Sequence, residues 1–219
     1  MTALEPTFHP RWARSVADLE PRPATGGGRA AISFAYGLPD PALFPTEALS
    51  AAGDLVLREH SARALQYGAG QGLPQLISVL VERLNRAEGL AIRPDECMIT
   101  AGAGQAIAVV GRALLDPGDT VLVETPAWPG ALNAFRRCSG RLVAVPVDAE
   151  GLDTDALAQT LDTLAAESTR PKLLYTVPNF QNPTGVTTTL ARRQALLDLA
   201  RRYDFLILED DAYRDLAFE

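Results

Sequence analysis

Lysine is nearly absent from this chain. Lys172 is the only one in 219 residues, and arginine supplies the rest of the 20 basic side chains. Against 27 acids the formal net charge is −7, which excludes nucleic acid as a partner, because phosphate binding needs clustered cations. Cysteine is equally scarce. Cys97 and Cys138 carry no metal-type spacing, which excludes a disulfide scaffold or a thiolate metal centre and reads as two buried free thiols. His9 and His60 stand apart from each other and read as surface residues. No apolar run reaches the roughly 18 residues of a membrane span, and residues 1–30 show no secretory core, so the expectation is a cytoplasmic protein with no membrane contact. What is present in quantity is ordinary globular material. At 47% hydrophobic and 21% charged, the chain has enough apolar surface for one sizeable core.

In chain order, residues 1–30 carry Pro6, Pro10, Pro21, Pro23 and the run Gly26-Gly27-Gly28, and read as an N-terminal arm. A strand-like piece from Ile32 opens at Gly37 into a proline-rich loop. Helices are expected over 46–61 and 73–87, joined by the glycine-rich turn that contains Tyr67. Cys97-Met98-Ile99-Thr100 reads as a strand, and Gly102-Ala103-Gly104 turns from it into a helix over 105–115. A strand, a glycine loop and a helix N-terminus form an anion cradle, since unpaired N–H groups and the helix dipole converge there. Strands are then expected at 120–124, 142–146, 173–177 and 205–209, with helices between them. Strand and helix alternate, which specifies an α/β fold: a doubly wound, mainly parallel sheet.

The most informative stretch is 173–213. Leu173 to Val177 is a short apolar run closed by Pro178, as a buried parallel strand should be. A loop of turn formers, Asn179 to Gly185, follows it. Thr188 or Thr189 can cap the next helix, whose Leu196, Leu199, Ala200 and Tyr203 share one face. The strand at 205–209 then delivers Asp210 and Tyr213. A right-handed βαβ unit puts Asn182 and Asp210 past the carboxyl ends of neighbouring strands, where open α/β sheets bind ligands. An amide, a carboxylate and a phenol suit a protonated pyridine ring bearing a ring oxygen.

Asn182-Pro183-Thr184-Gly185, together with Asp210 three residues before Tyr213, resembles the fold-type I pyridoxal-phosphate aminotransferases of class I and II. The wording around both motifs looks most like the 2-aminoadipate, broad-specificity branch. The resemblance implies pyridoxal 5'-phosphate as cofactor, with an amino acid and a 2-oxo acid as substrates. It gives Asp210 the ring nitrogen, Asn182 and Tyr213 the ring oxygen, Trp128 the ring face, and Gly102, Ala103 and Gly104 the phosphate. Ala103 departs from the family, in which a hydroxyl residue often stands there. Gly37 would lie beside the substrate carboxylate. Tyr67 would reach the phosphate of a second subunit, which implies a homodimer.

The resemblance covers residues 32–219, so residues 31–219 are expected to be an incomplete, truncated large domain. The lysine that anchors the cofactor and moves the α-proton has no counterpart, leaving no catalytic residue and an expectation of no activity for the chain alone. Lys172 starts its strand about five residues from the ligand edge, or about 16 Å away. Two strands also have no counterpart between 97–100 and 205–209, which predicts a gap of about 14 Å in the sheet and an aggregating or molten chain. A lyase on the same fold, a non-catalytic sensing or interaction module, and a truncated remnant are the other readings.

Overall fold

The computed structural model describes residues 37–138 and 140–217. The arm at 1–30, with His9, and the strand-like piece from Ile32 lie outside the described residues. The chain divides at Thr100/Ala101 into two compact units.

The unit that ends at Thr100 is helical. After a 3₁₀ turn at Pro41–Leu43 it contains α1 (Thr46–Glu59), the single-turn α2 (Ser61–Ala64) and α3 (Pro74–Glu88). Proline at the first position of α3, where no N–H is needed, and Gly89 at φ 64° past its end bound that helix. The strand expected at 97–100 does not form; these residues belong to no ladder. Their polar backbone is met locally instead. Ile99 N–H donates to Gln71 O at 2.9 Å, and Gln71 Nε2 donates to Cys97 O at 2.7 Å. A stretch with β-type composition stays extended but unpaired when no strand lies alongside it.

The unit from Ala101 onward holds the sheet. Its elements are α4 (Ala103–Leu114), β1 (Thr120–Thr125), α5 (Pro129–Arg137), β2 (Arg141–Asp148), β3 (Gly151–Leu152), α6 (Thr154–Ala166), β4 (Pro171–Thr176), α7 (Leu190–Tyr203) and β5 (Leu206–Glu209). The strand order is β3-β2-β1-β4-β5. The β2-β1-β4-β5 ladder is parallel, and β3 returns antiparallel against the end of β2. Among the described residues the sheet therefore has five strands, but Gly151–Leu152 is the fifth rather than 97–100.

Side-chain alternation builds a core on each face. Val121 and Val123 of β1 and Leu173 and Tyr175 of β4 point to one face, with Ile107 of α4 and Ala131, Ala134 and Phe135 of α5. Leu122, Leu174 and Val145 point to the other, with Leu157, Leu161 and Leu164 of α6 and Leu196, Leu199 and Ala200 of α7. This is the doubly wound arrangement expected from the sequence. Cys97 and Cys138, expected to be buried, are free thiols of intermediate exposure.

Candidate active site

The carboxyl ends of β1, β4 and β5 stand side by side, so the segments leaving them meet. Trp128 follows β1, Asn182 follows β4, and Asp210 and Tyr213 follow β5. With Ala103, Tyr175, Val177 and Ala212 they line a cleft of about 150 Å³.

Each polar group is held. Asp210 N–H donates to Thr176 O at 2.9 Å, continuing the β4–β5 ladder one residue beyond the strands. The Tyr175 hydroxyl donates to Asp210 Oδ2 at 2.8 Å. In the same cleft Asn182 Nδ2 donates to Tyr213 Oη at 3.1 Å. Amide and phenol thus converge, as two partners of one ring oxygen must. The indole of Trp128 folds back over Gly130; a β-carbon there would sit 2.2 Å from the ring, so only glycine leaves room for it. Gly104 passes beneath the far edge of the same ring, with a β-carbon position 3.9 Å from it. Gly102 precedes α4 at φ 82° and ψ 167°, so the helix starts at Ala103, which lines the cleft, and among the described residues no side chain caps its first N–H groups.

Gly37 and Tyr67 belong to the other unit. Tyr67 is 99% exposed, with its ring in solvent. Lys172 is at the opposite end of β4, where it pairs with Asp119 at 2.6 Å and donates to Leu114 O at 3.2 Å. The Asp119 hydrogen bond is the main reason that its ammonium form is favoured beyond the ordinary lysine value. It is a charged, paired strand-end residue.

Beneath the cleft is a polar layer that sequence reading missed. Glu124, 1% exposed at the end of β1, accepts from Thr176 Oγ1, from Val177 N–H at 3.2 Å and from Gln181 Nε2 at 3.0 Å. Burial pushes its carboxyl above the ordinary glutamate range, and these donors pull it back. Gln181 uses its other groups on the loop: Nε2 also reaches Pro126 O at 2.7 Å, and Oε1 accepts from Thr184 N–H at 2.9 Å. Glu124 thereby fixes the turn that presents Asn182. Arg193 and Asp211 fix its other side, since Arg193 Nη2 donates to Asn179 Oδ1 at 2.7 Å and Asn179 Nδ2 donates to Asp211 Oδ1 at 2.6 Å. A lone acid closing an otherwise apolar strand was the available signal for Glu124.

The donor set fits pyridoxal phosphate: an aromatic face, a carboxylate, an amide and phenol held together, and a helix N-terminus in one cleft. Comparison with known proteins agrees. The profile of the family "Aminotransferase class I and II" matches residues 36–219. Aromatic-amino-acid aminotransferase 1 of Thermococcus litoralis is 41% identical over 187 residues, covering 85% of this chain and 45% of the relative. The 2-aminoadipate transaminase of Thermus thermophilus is 42% identical, covering 85% and 44%. Among solved structures, α-aminoadipate aminotransferase of Thermus thermophilus, complexed with N-(5'-phosphopyridoxyl)-L-leucine, superposes with a TM-score of 0.74 at 41% identity. It is matched over 83% of this chain and 44% of that one. An archaeal alanine:glyoxylate aminotransferase reaches 0.79 at 38% identity, over 83% and 44%. The chain spans about half the length of the curated relatives it matches. With a family profile matched over residues 36–219 and the cleft built as described, the chain belongs to the class I and II aminotransferases.

Proposed function

We propose that these residues form the cofactor half of a pyridoxal 5'-phosphate-dependent aminotransferase that moves an amino group between an amino acid and a 2-oxo acid. The observation that carries the reading is the cleft itself. Asp210, braced by Tyr175, shares one 150 Å³ space with the Trp128 face and the Asn182–Tyr213 pair. When bound, the cofactor supplies an electron sink for the bond broken at the amino-bearing carbon.

The chain's own residues have positional and electrostatic tasks. Asp210 places a carboxylate to hold a proton at the ring nitrogen. Asn182 and Tyr213 donate to the ring oxygen, Trp128 covers one ring face and excludes water from it, and the N-terminus of α4 with Gly102, Ala103 and Gly104 receives the phosphate. Ala103 brings only its backbone donor, so phosphate binding rests on N–H groups and the helix dipole. The amine that bonds the cofactor and moves the substrate proton is not supplied by residues 1–219, because Lys172 sits at the far edge of the sheet in an ion pair.

The same proposal includes a homodimer, in which Tyr67 serves the phosphate of the other subunit and Gly37 lies beside the substrate carboxylate. The exposure of the Tyr67 ring supports that assignment. Names of relatives point to 2-aminoadipate and aromatic amino acids as donors. A cytoplasmic location belongs to the proposal too; among the described residues no helix is long and apolar enough to cross a membrane.

The test is amino transfer from 2-aminoadipate to 2-oxoglutarate, followed as glutamate. The chain alone should give no turnover above a Lys172→Ala control. Co-expressed with the C-terminal half of the Thermus transaminase, it should become active, and Asp210→Ala should abolish that activity while the two halves still assemble. Turnover by the chain alone that Lys172→Ala removes would contradict the assignment of roles.

A further inference from the structure

Tyr175 lies within an apolar run of β4, and beyond bracing Asp210 it has no contact with the cofactor in the reading above. It is 0% exposed, flanked by β1 on one side and β5 on the other, and its ring meets Phe135 edge-on at 5.8 Å. A phenylalanine would fill the same space without carrying a hydroxyl out of water, which is unfavourable unless that hydroxyl finds a partner. The partner here is Asp210 Oδ2, at 2.8 Å.

An aspartate carboxylate turns readily about its last torsion, because that sp³–sp² rotation has broad, shallow wells. The main chain of Asp210 is fixed through Thr176 O, but this leaves the carboxylate free to turn. We infer that Tyr175 is the positioning residue of the site: its hydroxyl pins Asp210 Oδ2 and so presents the other carboxylate oxygen to the ring nitrogen of the cofactor. The inference rests on the cofactor reading.

The groups that bear on Tyr175 are Asp210 beyond β5, Glu124 at the end of β1, and Tyr213. Burial first, then the charge and hydrogen bond of Asp210, push the phenol well above its ordinary value. It therefore remains a proton donor across the working range, and the direction of the bond is fixed. A fixed donor on one oxygen is what keeps the carboxylate from rotating away or from accepting water in place of the cofactor.

The test is a double-mutant cycle on pyridoxal phosphate affinity, with the full chain carried on a solubilising fusion partner and binding read by equilibrium dialysis. Tyr175→Phe should weaken binding about tenfold, the size of one charge-assisted hydrogen bond. In an Asp210→Ala background the same substitution should change affinity less than about twofold, because nothing remains to be positioned. The nitrogen-15 resonance of labelled cofactor should move toward the unprotonated ring position in Tyr175→Phe and stay put in Phe135→Leu. Phe135→Leu disturbs the packing around Tyr175 without touching the hydrogen bond. Equal losses from Tyr175→Phe in both backgrounds would overturn the inference and leave the cofactor reading standing. Absence of binding by the unaltered chain would overturn both.

Discussion

At Glu124 three donors converge on one carboxylate that has been taken out of water. Removing it strands a hydroxyl and a backbone N–H and costs the Gln181 amide one of its two acceptors, and each buried group left unpaired costs about 1–3 kcal/mol. Glu124→Ala should therefore loosen the turn that carries Asn182. Hydrogen exchange over residues 177–186 should accelerate more than tenfold, since that loss exceeds about 1.4 kcal/mol. Glu124→Gln should fall between the two, because its amide turns a donor toward groups that already donate. Unchanged protection in Glu124→Ala would show that the loop is held by other means. The same residue marks the limit of sequence reading. Asn182, Asp210 and Tyr213 stand out because polar groups in turn-rich segments at strand ends have few structural reasons to be there, whereas Trp128 is singled out by the family resemblance alone. Glu124, Tyr175 and Gln181 do not. Tyr175 lies in an apolar strand where composition signals only burial, Glu124 shows only as a lone acid closing such a strand, and Gln181 looks like one more turn residue. Their role depends on which strands become neighbours, and that is a property of the sheet order.

Among the elements, α6 and α7 show how far local rules reach. Thr189 accepts from Arg192 N–H and starts α7, one of the two caps expected, and the face of Leu196, Leu199 and Ala200 is buried as its periodicity predicts. Asp153 caps α6 by accepting from Ala156 N–H at 2.9 Å and Asp155 N–H at 3.0 Å. It also meets Arg192 Nη1 at 3.2 Å, and Arg192 spans to Asp148 at 2.9 Å, so one arginine ties the start of α7 to the β2–α6 corner. The Ala156 N–H first, and Arg192 after it, hold the Asp153 carboxyl below its ordinary value. A depressed folded-state value means that stability is present above the unfolded value of about 3.9 and is lost as pH falls through the folded one. Asp153→Asn keeps a capping oxygen but removes the charge, so it should destabilise α6 at neutral pH by about 0.5 kcal/mol, and the difference from wild type should shrink below about pH 4. Exchange at the N-terminal turn of α6 across that range reads it; a difference independent of pH would contradict the role of the charge. Where local rules failed, at 97–100, the sequence is β-like but its backbone bonds go to Gln71. Pairing is a long-range property, and no pattern within those residues encodes it.

For the molecule as a whole, apolar surface decides the behaviour. Among the described residues β5 is paired on one side only, and Leu206 on it is 57% exposed. Leu38, Leu43, Leu49 and Leu65 of the helical unit are exposed by 81%, 80%, 65% and 77%. An open parallel edge and scattered large apolar side chains favour association, so the chain by itself should sediment as oligomers or aggregates at micromolar concentration. A monodisperse species with a sharp thermal transition would contradict that expectation. The central claim is that the cleft at the carboxyl ends of β1, β4 and β5 holds pyridoxal phosphate and that Lys172 has no part in it. The most direct measurement is borohydride reduction of the cofactor-loaded full chain on its soluble carrier, followed by peptide mapping, beside equilibrium dialysis of Asp210→Ala and Lys172→Ala. The expected result is no stoichiometric label on Lys172, unchanged affinity in Lys172→Ala, and at least about tenfold weaker binding in Asp210→Ala. Specific labelling of Lys172, or full affinity retained without Asp210, would contradict it.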